Sequence, residues 1–336
     1  MAFGEFDVIE SFFTHRFAKR DDVQVGVGDD GAIVTLDTNE DLVVVTDTMV
    51  ADVHFDANTP ARAIGHKILA VNLSDLAAMG AEPRWFSLAL TLPHVDEEWL
   101  GSFSTGLREM SEYYDCSLIG GDTTRGPLTI TVTAHGVVPK GKALLRNGAK
   151  PGDWIYVSHA LGDAGLALAV QQKQIVVADQ HYRKICERLF FPTPRVALGQ
   201  SLRGIASSAI DISDGLLSDL GHILKASRVG ARLSLNELPL SLSMTESVSQ
   251  DQALVLALIS GDDYELCFTV PESQRGLFDT MIAHSPTKPI CIGRVTSETN
   301  KLVLELDGEP WQLPSDGRGY EHFSESVTGI KDGNNA

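Results

Sequence analysis

Aspartates punctuate this sequence where the chain changes direction. VGVGDDGAIV (25–34) carries Asp30 ahead of an apolar run, and DLVVVTD (41–47) ends in Asp47. LIGGDTTRGP (118–127) sets Asp122 behind two glycines, and AIDISDGLL (209–217) holds Asp211 and Asp214. Singly, each has a plain explanation, because an aspartate side chain bonds nearby backbone amides in a turn. Together they describe another chemistry. Hard divalent cations such as Mg²⁺ take oxygen ligands and bridge protein carboxylates to phosphates. A glycine-rich loop that presents acid instead of lysine suits a phosphate site if cations lie between the two sets of negative charge. The glycines beside Asp30 and Asp122 would allow close backbone approach. Spacing alone does not show that these residues converge.

Asp75 makes the stronger case. Thr59 as N-cap and Pro60 at the first helical position predict a helix that runs to Met79 and closes at Gly80. On it Ile64, Ile68, Val71, Asp75 and Met79 share one face, with Asn72 beside the acid. A carboxylate on an apolar stripe costs several kcal/mol unless it is protonated, ion-paired or bound to a cation. Arg62 and Lys67 are candidate partners, but neither lies three or four residues away, so such a pair would not be local.

The positioning elements follow from periodicity. DLVVVTD reads as a buried strand ending at Asp47. Pro93 and Asp96 open an amphipathic helix marked by Leu100, Phe103, Leu107, Met110 and Tyr114. A short strand (116–119), a turn (GGDTTRGP) and an alternating strand (128–138) come next. The Gly- and Lys-rich stretch 140–152 ends in the turn signal Lys150-Pro151-Gly152 and predicts a linker. It would separate an amino-terminal α/β domain (1–139) from a carboxy-terminal one (153–330) with a short tail (331–336). In the second half strands are expected at 154–158, 208–212 and 264–270, and helices at 162–172 and 214–227. Alternating half-buried strands favour mixed or antiparallel sheets, an α/β class with α+β character. Val71-Asn72-Leu73-Ser74-Asp75 weakly echoes Ile210-Asp211-Ile212-Ser213-Asp214.

With 336 residues the chain can form two real cores. Its formal charge is −18, from 45 acidic against 27 basic residues, without the basic clustering that nucleic-acid binding requires. There is no signal-peptide pattern and no apolar run of the roughly 18–20 residues that span a bilayer. The four cysteines are far apart and lack zinc-ligand spacing. A soluble, reduced, cytoplasmic protein is expected, with no membrane or nucleic-acid partner. Neither GxGxxG at a strand-to-helix turn nor GxxxxGK[ST] occurs.

VGVGDDGA (25–32), VTDTMV (45–50), KILAVNLSDLAAMGAEP (67–83), LIGGDTTRGP, GAKPGDWIYV (148–157), AIDISDGLLSDLGHI (209–223) and SGDDYELCFTV (260–270) together resemble the thiamine-monophosphate kinase family. The likeness runs from about Gly4 to GYEHF (319–323). The resemblance implies the two-domain architecture of the aminoimidazole ribonucleotide synthetase superfamily, with amino-terminal sheets pairing across a homodimer. It implies ATP-dependent phosphorylation of thiamine monophosphate with several Mg²⁺ ions. Carried over by motif, the metal ligands are Asp30, Thr46, Asp47, Asp75, Asp122, Asp211 and Asp214. ATP contacts would be Gly121, Asp122, Arg146 and Ser213, and the thiamine-phosphate side would be His54, Asp262 and Tyr320. Two positions depart from the pattern: Asp262 stands where glutamate is usual, and Val45 where a hydroxyl residue is common. An ATP-using synthetase of the same superfamily is the alternative reaction. Its selenophosphate branch is disfavoured, because no cysteine precedes Cys116. A non-catalytic Mg²⁺- or nucleotide-binding regulator is the alternative from outside enzymology.

Overall fold

The computed structural model describes residues 5–14, 16–56, 58–283 and 288–313. A short helix, α1 (Glu5–Ile9), precedes a two-stranded hairpin, β1 (Val23–Val25) and β2 (Ile33–Val34). A four-stranded sheet follows, built from β3 (Glu40–Val50), β4 (Glu82–Leu92), β5 (Ser117–Arg125) and β6 (Thr129–Pro139) in the order β3-β6-β4-β5. Helices α2 (Ala61–Ala78) and α3 (Glu97–Tyr113) connect its strands. Residues 140–153 contain no helix or strand.

The second half holds a seven-stranded mixed sheet. Its strands are β7 (Trp154–Val157), β8 (Ser208–Ile212), β9 (Gly230–Ser234), β10 (Glu265–Val270), β11 (Ile290–Thr296), β12 (Leu302–Leu306) and β13 (Glu309–Trp311). They lie in the order β13-β12-β9-β11-β7-β10-β8, antiparallel except where β12 joins β9. The helices of this half are α4 (Asp163–Gln171), α5 (Asp179–Phe190), α6 (Val196–Ser201), α7 (Leu216–Ser227), α8 (Leu242–Ser247), α9 (Gln250–Ile259) and α10 (Arg275–Ile282). This is the mixed α/β architecture expected from the strand patterns.

Helix α2 joins the two halves. It packs on α3, β3 and β6 on one side and on β8, β10 and α6 on the other. One apolar core therefore runs from Val43, Ile68 and Leu88 through to Ala209, Leu266 and Phe268. Nearly every α2 side chain is buried, so the expected single apolar stripe is replaced by burial all round. Helix α3 approaches α2 backbone to backbone. A Cβ on Gly65 would lie 2.0 Å from the Phe103 carbonyl oxygen, and one on Gly106 would lie 1.9 Å from that of Arg62.

Several local expectations are corrected. Helix α2 begins at Ala61, because Pro60 takes ψ 132° and itself stands at the N-cap in place of Thr59, with no side-chain capping bond among the described residues. Strand β3 continues three residues past Asp47 and is an edge strand with one uncovered face; Leu42 and Val44 are 44% and 54% exposed. Its β-branched run encodes extended backbone, and only the neighbouring strands decide burial. GGDTTR, expected as a turn, is strand: β5 pairs in parallel with β4 as far as Arg125. Gly121 makes this possible, since a Cβ there would fall 1.9 Å from the Leu88 carbonyl oxygen. By contrast, Asp96 caps α3 as its position predicts, accepting the Trp99 amide.

Candidate active site

Strand β3, helix α2 and strand β8 each deliver one carboxylate to the seam between the two sheets. Asp47 lies towards the end of β3 on the face that α2 covers, and its Oδ2 is buried with no hydrogen bond among the described residues. Burial holds its carboxyl above the ordinary range. Asp75, half-buried on α2, is pushed up to about 8, first by burial and then by repulsion from Asp211 and Asp47; Arg146 opposes the shift. Asp211, buried in β8, is pushed up to about 6, chiefly by burial, although the Ser74 hydroxyl donates to its Oδ2 at 2.8 Å. The mutual repulsion places these acids in one electrostatic neighbourhood, with the exposed Arg146 guanidinium as the nearby cation.

Neither expected partner pairs with Asp75. Arg62 binds Glu109, and the Lys67 ammonium lies 2.9 Å from Asp262 Oδ1. Among the described residues Asp75 has no ion pair. Ser74 and Asp211 also resolve the sequence echo. One copy is helical and the other ends a strand, so they are not a structural repeat, yet they meet across 137 residues of chain.

Past Asp211 the chain turns at Ser213–Gly215. The amides of Ser213, Asp214 and Gly215 all donate to Asp219 Oδ2, at 3.0, 3.0 and 3.2 Å. Asp219 thereby holds the turn from the first turns of α7, where the helix dipole favours an anion; its carboxyl is pushed up to about 7, mainly by burial. Ser213 in turn accepts the Asp262 amide at 2.9 Å. Asp219 is a site residue that motif reading passed over, although SDGLLSD sets it four residues beyond Gly215, one helical turn on.

Other sequence candidates lie elsewhere. Asp30 is exposed at the tip of the β1–β2 hairpin, which Val23 and Val34 anchor on Trp85 and Ile119. Thr46 is exposed on the face of β3 opposite Asp47 and bonds the Thr133 hydroxyl at 3.0 Å. Asp122 is exposed beside its register partner Ala89. Asp214 is half-buried, and Val50 donates its amide to His54 Nδ1 at 3.1 Å. Tyr320 lies outside the described residues. Thus Asp47, Asp75, Asp211 and Arg146 are brought together, and Asp30, Thr46 and Asp122 are on exposed segments. Among the described residues no group of three or more Asp, Glu, His or Cys side chains is already set at cation-binding distances.

Residues 28–138 match the family AIR synthase related protein, N-terminal domain, and residues 150–304 match its C-terminal domain. The chain is 50% identical to thiamine-monophosphate kinase of Escherichia coli K12 over 325 residues, 96% of this chain and 99% of the relative. The chain belongs to the thiamine-monophosphate kinase family. The Bacillus subtilis member is 34% identical over 95% of this chain and 99% of its own. The crystal structure of thiamine-monophosphate kinase from Stenotrophomonas maltophilia K279a superposes with a TM-score of 0.83 at 44% identity, covering 93% of this chain and 99% of that one. A structure described as AaThiL complexed with AMPPCP and TMP gives a TM-score of 0.74 at 28% identity, over 88% of this chain and 92% of that one. Within this kinase family frame, the seam lined by Asp47, Asp75 and Asp211 is the candidate active site.

Proposed function

We infer that this chain transfers the γ-phosphoryl group of ATP to the phosphate of thiamine monophosphate, giving thiamine diphosphate and ADP, the last step in making that diphosphate. The observation that carries the reading is the seam of Asp47, Asp75 and Asp211 in a chain 50% identical to thiamine-monophosphate kinases over nearly its whole length.

Magnesium fits this donor set. The buried, unbonded Asp47 Oδ2 and the raised proton affinity of Asp75 and Asp211 mark hard oxygen donors short of positive charge. Asp47, Asp75 and Asp211 would hold ions, with Asp30, Thr46, Asp122 and Asp214 as further ligands. When bound, magnesium would neutralise phosphate charge and so lower the repulsion between donor and acceptor. That need is real: two unit charges about 4 Å apart repel by roughly 4 kcal/mol at an effective dielectric of 20.

The acceptor phosphate has a second pKa of about 6, so at neutral pH it is already a deprotonated nucleophile. One of its oxygens attacks the γ-phosphorus as the bond to the β-bridging oxygen breaks and ADP leaves. No side chain has to remove a proton, and no general base is assigned. The residues orient instead. Arg146 grips ATP phosphate oxygens with its planar fork, Gly121, Asp122 and Ser213 shape the nucleotide side, and His54 and Asp262 serve the acceptor, a role to which Tyr320 is assigned by motif alone. Alignment supplies the remaining acceleration.

The uncovered face of the four-stranded sheet is the surface for a second copy. Leu42 and Val44 lie exposed along edge strand β3, with Thr46 and Thr48 continuing the row. Pairing of two such faces makes a homodimer that also covers the side on which Thr46 is exposed.

A coupled assay of ADP release tests the activity, with thiamine monophosphate and thiamine run side by side, with and without Mg²⁺. Release is expected only with the monophosphate and the metal. Turnover of free thiamine would show a hydroxyl acceptor and a missing base.

A further inference from the structure

The Gly261–Tyr264 segment is held unusually tightly. Asp262 and Tyr264 both adopt left-handed backbone conformations, at φ 70° and 50°, a strain that persists only where surroundings over-determine it. The surroundings are visible: Asp262 N donates to Ser213 O at 2.9 Å and Tyr264 N to Ile212 O at 2.8 Å. A Cβ on Gly261 would lie 2.3 Å from Ser213 O. The backbone that carries Asp262 is thereby fixed to the end of β8, next to Asp211.

Its side chain is fixed as well. Lys67 is 6% exposed, and its ammonium lies 2.9 Å from Asp262 Oδ1. The Tyr264 hydroxyl donates to the same oxygen at 3.0 Å, and its ring centroid is 5.9 Å from Lys67 Nζ. Both donors use Oδ1. Oδ2 has no hydrogen bond among the described residues, and the side chain keeps 33% of its surface exposed. One oxygen is committed to the protein, and the partly exposed carboxylate keeps a second acceptor, its charge balanced by a buried ammonium.

We propose that Lys67 is a positioning residue for substrate recognition: with Tyr264 it locks Asp262 so that Oδ2 accepts a hydrogen bond from a neutral N–H donor on the acceptor molecule, the exocyclic amino group of the pyrimidine. This rests on the placement of Asp262 at the acceptor side. One feature selects that chemistry. An ammonium beside the carboxylate offsets its attraction for a full cation such as the thiazolium, while a neutral donor can still use the free oxygen. A site built to bond an N–H discriminates strongly against an analogue without it, because its own polar group is then left unpaired.

The test compares wild type, Lys67→Met and Tyr264→Phe, each with thiamine monophosphate and with its analogue carrying an oxo group in place of the amino group. Wild type is expected to favour the amino substrate by about tenfold or more in kcat/KM. Lys67→Met is expected to raise KM for thiamine monophosphate about tenfold, lower kcat less than threefold, leave KM for ATP unchanged, and lose most of the preference. Tyr264→Phe, which leaves Lys67 in place, is expected to shift the same quantities less, and it carries the test if Lys67→Met does not fold. Unchanged preference in the folded variants would overturn the proposal, as would a loss confined to kcat. Wild-type protein inactive on thiamine monophosphate would instead overturn the kinase reading beneath it.

Discussion

Replacing Asp75 with asparagine should make the metal-free protein more stable at alkaline pH. The Asp75 carboxyl is pushed from 3.8 to about 8 in the folded chain. Between those values the folded protein holds a proton that the unfolded chain has released, so stability falls as pH rises, and the loss is complete only above about 8. The full gap corresponds to roughly 6 kcal/mol if Asp75 titrated alone. Between about pH 5.5 and 8 it amounts to about 3 kcal/mol, or about 5 °C in melting temperature for a chain of this size. Asparagine keeps the shape of the protonated acid and has no charge to bury. Thermal denaturation after EDTA treatment, run at several pH values, reads the effect. Wild type should lose stability over this window, and Asp75→Asn should have a flatter profile and the higher melting temperature at pH 8. Added Mg²⁺ should then stabilise wild type more at pH 8 than at pH 5.5, because cation and proton compete for the same oxygens. It should stabilise the variant much less. Identical pH profiles for the two proteins would refute the electrostatic account of the seam.

Asp122→Asn should cut turnover strongly while leaving the melting temperature of the ligand-free protein nearly intact, since Asp122 is exposed; full activity in a steady-state assay would remove it from the ligand set. Glu265 is wholly buried between Arg188 and Arg195, at 2.6 Å from each. Its replacement by glutamine should therefore cost about 3–5 kcal/mol in urea denaturation by leaving those charges uncompensated. Gly65→Ala puts a methyl group 2.0 Å from the Phe103 carbonyl oxygen, so α2 and α3 must separate, at a cost of about 3 kcal/mol measured the same way. If the open face of β3 pairs two copies as proposed, Val44→Lys should leave a monomer in light scattering where the unsubstituted chain gives a dimer, because it charges that face.

The sequence determined what each segment does locally, and it did so through residue type. Asp96 caps α3, β-branched alternation makes β3 and β6 strands, and the proline pair 192/194 falls between α5 and α6. The motifs around Asp30, Asp47, Asp75, Asp122 and Asp214 carried the family, because such short strings are legible without knowing what they touch. Convergence was another matter. Lys67 stands two helical turns from Asp75 on the same helix, yet it pairs with Asp262, which arrives from a loop 195 residues further on. Nothing in the helix pattern announces that choice. The tertiary structure also decided that α2 is buried on all sides, that GGDTTR extends a parallel strand, and that Thr46 and Asp47 face opposite ways across one sheet. The physical reason is the range of the forces: propensity and capping act within a turn or two, whereas the energy of a carboxylate depends on burial and neighbouring charge, which exist only once the two sheets have closed on α2.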